Sequence, residues 1–139
     1  MTSKAVTISS VAAGILLFSV GLSAHHGAST THDLTVSVDV TGTVTDFQFV
    51  NPHVLVYFDV TGEDGSVVEW WAGLGSPNRL IGGDGWADNT LKPGDQISVT
   101  GAPARGGVPS MWAEQVFLDG KPLLVNLAGW KQLLQIGVD

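Results

Sequence analysis

From Leu34 onward the stretch LTVSVDVTGTVT sets Val36, Val38, Val40 and Val44 in alternation with Thr35, Ser37, Asp39, Thr41, Thr43 and Thr45. Successive side chains leave a strand on opposite faces, so this two-residue period in β-branched residues predicts a half-buried strand. Gly42 in its middle predicts a bulge or a sharp bend. The same period returns in HVLVYFDV, with Val54, Val56, Phe58 and Val60 on one face and His53, Leu55, Tyr57 and Asp59 on the other. Pro52 lacks a backbone donor and suits the first position, so strand two is expected to begin near His53.

Residues GEDG, 62 to 65, supply turn chemistry, and SVVEWWAGL then returns as a third strand. A hairpin follows, with Trp70 and Trp71 on opposite faces and Asp59 and Glu69 facing one another across it. In SPNRLIGG, Ser76 suits a helix cap, Pro77 the first helical position and Gly82 a left-handed end, which predicts one or two helical turns. A Pro93-Gly94 turn introduces a fourth strand through Ile97 and Val99, closed by Gly101 and Pro103. PSMWAEQVFLDG then supplies a fifth strand, ending at Asp119 and Gly120. Three strands, a short helix and two more strands is the order of an all-β, five-stranded, OB-like Greek-key barrel, with its one short helix between strands 3 and 4.

The barrel is assigned to residues 34–120, preceded by a His-rich segment at 25–33 and followed by a tail at 121–139. Leu127, Trp130 and Leu134 lie at helical spacing in that tail, which predicts an amphipathic helix. Residues 1–24 have the layout of a secretory signal: Lys4, an apolar stretch from Val11 to Val20 that is short for a membrane span, then small residues up to Ala24. The mature protein is therefore expected in the periplasm or outside the cell, touching the membrane only through the leader before cleavage. A cut after Ala24 exposes His25 as the N-terminus, whereas a cut after Ser23 leaves Ala24 in front of it.

The chain carries thirteen Asp and Glu against six Lys and Arg, a formal charge of −7, and loss of Lys4 with the leader makes the remainder more negative. Phosphate backbones are repelled by such a domain, which argues against a nucleic-acid partner. The absence of cysteine excludes thiol chemistry and Cys-based metal sites, and leaves an exported domain to be held by packing alone.

The motifs AHHG, TGTVTDFQFVNPH, VVEWWAGLGSPNRL and LKPGDQISVTGAPARGG, in this order over about residues 24 to 120, resemble those of a family of small exported bacterial proteins, domain of unknown function 6152. The resemblance draws attention to His25, His26, Asn51, Pro52, His53, the SPN segment at 76–78, Trp86, the KPGD segment at 92–95, Pro103 and Arg105. It implies no activity, since that family has none to carry over. This chain departs from the family's pattern at Thr31, His32 and Asp33, where an aromatic-acidic pair often follows the histidines, and in its longer tail.

Two kinds of candidate site remain. An N-terminal His25 offers its amine and ring nitrogen to one metal ion, and a further imidazole would complete a flat three-nitrogen arrangement suited to copper(II). His53 is the expected third ligand, with His26 or His32 as substitutes, and binding would weaken on acidification as the amine protonates. The second candidate is a ligand or partner surface comprising Asn51, Tyr57, Trp71, Trp86 and Arg105, since barrels of this class bind on a sheet face flanked by loops. Ser76, His53 and Asp46 can be drawn as a triad, but Ser76 lacks the Gly-x-Ser-x-Gly elbow. The residues thus favour a non-enzymatic binding module for a small molecule or a periplasmic protein. The alternatives are a copper-binding protein using His25, His26 and His53, and an accessory subunit of a periplasmic assembly that docks through its tail.

Overall fold

The structure is a computed structural model that describes residues 28–124. The predicted leader, His25, His26 and the tail helix after residue 124 lie outside the described residues. The elements are α1 (Ala28–Thr31), β1 (Val38–Gln48), β2 (Leu55–Thr61), β3 (Val67–Gly73), α2 (Pro77–Asp84), β4 (Gln96–Pro103), β5 (Ser110–Leu118) and β6 (Lys121–Leu124). Among the described residues no helix is long and apolar enough to cross a membrane.

β1 is the strand that turns the sheet into a barrel. Its first half, Val38 to Thr43, pairs with β4, and its second half, Thr43 to Gln48, pairs with β2. Gly42 stands where the strand changes neighbours. A side chain there would meet the Asp59 carbonyl oxygen and lie 2.8 Å from Phe58 Cδ2, so only glycine permits the approach. The register irregularity itself falls between Val44 and Asp46, slightly beyond the glycine.

The strand also begins later than its alternation implies. The Asp33 carboxylate accepts from both the backbone N–H (3.1 Å) and the hydroxyl (2.6 Å) of Thr35. That local turn takes Leu34 to Ser37 out of the sheet, as short polar side chains do when they offer the backbone another partner.

β2 and β3 form the expected hairpin, with Tyr57 opposite Trp71 and Asp59 opposite Glu69. Pairing of β2 starts at Leu55, leaving His53 just before the strand. α2 starts at Pro77 as predicted, but runs past Gly82 to a left-handed cap at Gly85. Ser76 contributes its carbonyl, which accepts from Arg79 and Leu80 N–H at 3.1 Å, while its side chain makes no capping bond.

The strand order is β3-β2-β1-β4-β5-β6, and a parallel pairing of β3 with β5 closes the first five strands into a barrel. Closure removes the open edges that a five-stranded sheet would otherwise expose. The inward positions of the alternating strands make the core: Val44, Val56, Phe58, Ala72, Ile97, Val99, Met111, Ala113 and Val116, with Leu80 of α2 and Trp86 after it packed among them. The tail assignment is corrected at its start, because Lys121–Leu124 add a sixth strand to β5 through the Asp119-Gly120 turn.

Candidate functional site

Parity along the closing strands decides what faces outward. Val56, Phe58, Ala72 and Met111 point into the core, so Tyr57, Trp71, Ser110 and Trp112 lie on the outer face. The closing pairs set Trp71 beside Ser110 and Gly73 beside Trp112. Gly73 gives the Trp112 ring its seat: a Cβ there would stand 2.9 Å from Trp112 Cε3 and Cζ3.

The segment before β1 folds over this seam. His32 bridges to Ala104, and Asp33 N–H donates to the Pro103 carbonyl at 2.9 Å. This brings the His32 ring, only 4% exposed, edge-on to both Trp71 (centroids 6.2 Å apart) and Trp112 (6.3 Å). Thr31 Oγ1 and His32 Nδ1 share a hydrogen bond of 2.8 Å. His53 meets Trp112 as well, at 5.0 Å and 86°. The seam is therefore an aromatic and imidazole cluster assembled from four separate parts of the chain.

Between the covering segment and the β4–β5 connection lies a cleft of about 390 Å³. Its lining is Thr30, Thr31, His32, Trp71, Ala104, Arg105, Val108 and Ser110. Trp71 and Val108 give it apolar walls, and Val108 is 53% exposed. Arg105 opens a short 3-10 turn, Arg105–Gly107, in which Gly106 and Gly107 both have left-handed φ near 78° and 77°. Two consecutive positive φ values suit glycine and fix the curl that carries Arg105 to the cleft.

Arg105 Nη1 lies 3.8 Å from Asp33 Oδ2, too long for a hydrogen bond, with both side chains solvent-accessible. The Thr35 hydroxyl, then the Thr35 backbone N–H, and to a smaller degree the Arg105 charge hold the Asp33 carboxyl below the usual carboxylate range. At neutral pH the cleft rim thus carries one guanidinium and one carboxylate.

The sequence candidates distribute unevenly over this geometry. Trp71 and Arg105 line the same cleft, and Tyr57 is the cross-strand neighbour of Trp71. Asn51 is exposed in the β1–β2 connection, outside the cleft lining. Trp86 is in the core instead: it is 3% exposed and its indole N–H donates to the Leu123 carbonyl at 3.0 Å. His53 is exposed and meets the same Trp112 ring as His32. Among the described residues no three His, Asp or Glu side chains gather as a metal-binding group.

Of the proposed triad, Asp46 accepts from Phe47 N–H and the Gln48 amide, both at 2.9 Å. Thr30, Val108 and Ser110 carry no motif by which the sequence alone would select them. Their only sequence signal is proximity to His32 and Arg105.

Comparison with known proteins places the chain in context. The model of a family of unknown function, DUF6152, matches residues 13–111. No curated protein matches. Among solved structures, the mitochondrial single-stranded DNA-binding protein of S. cerevisiae is similar at 10% identity and a TM-score of 0.45, over 62% of this chain and 95% of that one. TiaS in complex with a tRNA and ATP is similar at 17% identity and a TM-score of 0.40, over 63% of this chain and 19% of TiaS. A ZRD-deleted TiaS mutant with agmatine gives 16% identity and the same TM-score, over 68% and 25%. The barrel assignment stands on the strand pairing of this chain itself.

Proposed function

We propose that this chain, which belongs to the family of unknown function DUF6152, is a small exported binding module that takes its ligand on the outer face of the β3–β5 seam. The observation that carries the reading is the cleft of about 390 Å³ walled by Trp71 and rimmed by Arg105. Its volume falls within the range of ligand pockets, roughly 300–1,000 Å³, and its lining has the usual mix of apolar walls and a few polar groups. Small barrels of this architecture offer the face of strands 2 and 3 and the loops after strands 1 and 4 to their ligands. Tyr57, Trp71 and Arg105 occupy that face and one of those loops.

Export is part of the proposal, with residues 1–24 as the removed leader. The test is to recover the protein from the periplasm, measure its intact mass and identify small molecules or proteins that co-purify. A partner retained by the natural protein and lost from Trp71→Ala, with folding preserved, supports the reading. Identical recovery from both proteins removes it.

A second reading, copper binding by His25 and His53 with His26 as a substitute, is favoured by one observation. α1 begins only three residues after His25, and the segment that follows is pinned to the barrel end where His53 abuts Trp112. Three residues of chain reach about 10 Å. One equivalent of copper held by the natural protein and released from a His25→Ala, His53→Ala double variant supports it. Equal affinity in the two proteins excludes it.

A further inference from the structure

We infer that the cleft selects a small apolar molecule bearing a single carboxylate, with Arg105 as its anion partner and Trp71 and Val108 as the seat of its apolar body. The inference deepens the binding reading above and rests on it. Three features of the site point the same way.

The first is the state of Arg105. A guanidinium has five N–H donors in a planar fork matched to a carboxylate. Among the described residues the Arg105 side chain makes no hydrogen bond, and its nearest acid, Asp33 Oδ2, stands 3.8 Å away. The other Asp33 oxygen is already engaged by Thr35 at 2.6 and 3.1 Å. Asp33 therefore keeps the guanidinium at the rim by charge while leaving its donors for another acceptor.

The second is the wall. Val108 leaves half its surface in water, and the outward face of Trp71 borders the same space. Covering these groups releases water from apolar area, a gain that a polar or fully hydrated ligand would not recover.

The third is the charge. The chain has formal charge −7, and Arg105 is the one Lys or Arg among the described residues lining the cleft. Its fork suits one carboxylate, which would compete with the Asp33 charge 3.8 Å away. A phosphate dianion or a polyanion would bring more negative charge than this site offsets and would meet the repulsion of the whole domain.

The experiment is calorimetric titration of the purified protein with phenylacetate, with its neutral isostere phenylacetamide and with the cation phenethylamine. Phenylacetate is expected to bind about tenfold or more tightly than phenylacetamide, the ratio for one charge-assisted hydrogen-bonding pair. Arg105 is exposed, so Arg105→Gln is expected to fold normally by circular dichroism and to bind acid and amide alike. Arg105→Lys, which keeps the charge and loses the fork, should retain only part of the preference.

Equal binding of acid and amide to the natural protein overturns the carboxylate assignment and leaves an apolar binding cleft. A preference for the acid that survives Arg105→Gln overturns the role of Arg105. No binding of any of the three probes at millimolar concentration overturns the inference outright. The binding-module reading is then decided separately by what co-purifies with the natural protein and not with Trp71→Ala.

Discussion

Trp86 and Trp71 are the same residue type in opposite situations. Trp86 packs in the core beside Phe47, and its one polar atom donates to the Leu123 backbone, which ties β6 to the barrel. Trp71 lies on the outer face, half-buried, beside a histidine from the covering segment and in the wall of the cleft. A buried tryptophan with its N–H satisfied is committed to the fold, since both its area and its donor are in use. A tryptophan that keeps part of its face at an apolar cavity has surface left for recognition.

That contrast breaks most sharply on truncation. Trp86→Ala is expected to destabilise the barrel by about 3–5 kcal/mol, as large-to-small changes in a packed core do. Urea unfolding would measure it, and a loss below about 1 kcal/mol would contradict the structural role given to Trp86. Trp71→Ala should cost clearly less in the same measurement while abolishing retention of the co-purifying ligand.

Gly73→Ala probes the seat of the outer cluster. Its new methyl would crowd the Trp112 ring from 2.9 Å, and overpacking of this kind costs about 1–3 kcal/mol. Because His32 and His53 both lean on that ring, their imidazole NMR signals should move together. Unmoved histidine signals would show that Trp112 does not organise them.

Arg105→Gln sits at the mild end for stability, within about 0.5 kcal/mol of the natural protein, because an exposed, long ion pair contributes little. Its effect is expected in ligand discrimination alone. Asp33→Asn should act in the opposite sense, raising phenylacetate affinity about two- to threefold by removing the competing carboxylate. A fall in affinity would mean that Asp33 positions Arg105 more than it competes with the ligand.

The smallest expected effect is on acid stability. The carboxyls of Asp33, Asp64 and Asp95 are held below their ordinary range, chiefly by side-chain hydrogen bonds from Thr35, Ser66 and Lys92 respectively. A carboxyl with a lowered folded pKa adds stability that is fully present above its unfolded value, near ~4, and is lost as pH falls through the folded value. The contribution of these three carboxyls should therefore be lost only below about pH 4, and Asp33→Asn should remove one part of that loss. A decline already complete at higher pH would place its origin in other groups.

Local patterns were enough to read most strands. Val54, Val56 and Phe58 are fully buried on the face that their alternation assigned. The hairpin turn, the Pro77 start of α2 and the Pro93-Gly94 turn also lie where their residues placed them. Element ends were harder to read. Asp33 and Thr35 form a turn inside an otherwise strand-like pattern, α2 continues through Gly82 and Gly83, and Lys121–Leu124 pair with β5 ahead of a segment with helical spacing. Each of these outcomes depends on a competing partner for the backbone, which periodicity does not register.

The site was legible as a set of residue types and not as an arrangement. Trp71 and Arg105 stood out as an aromatic and a cation in an acidic barrel, as did Trp86, which has the same credentials and lies in the core. His32 is the clearest case of what the linear pattern left open. As a sequence position it is one of several histidines near the start, and only the backbone bridge to Ala104 carries it onto the two tryptophans.

Alternation and turn residues are properties of neighbours along the chain, so they suffice for the inward faces, the hairpin and the all-β class. The parallel pairing of β3 with β5, the seating of Trp112 on Gly73 and the meeting of His32, Trp71 and Arg105 join residues distant along the chain. Such contacts form only when the closed barrel offsets the entropy of bringing those segments together, and that balance belongs to the whole fold rather than to any one stretch of it.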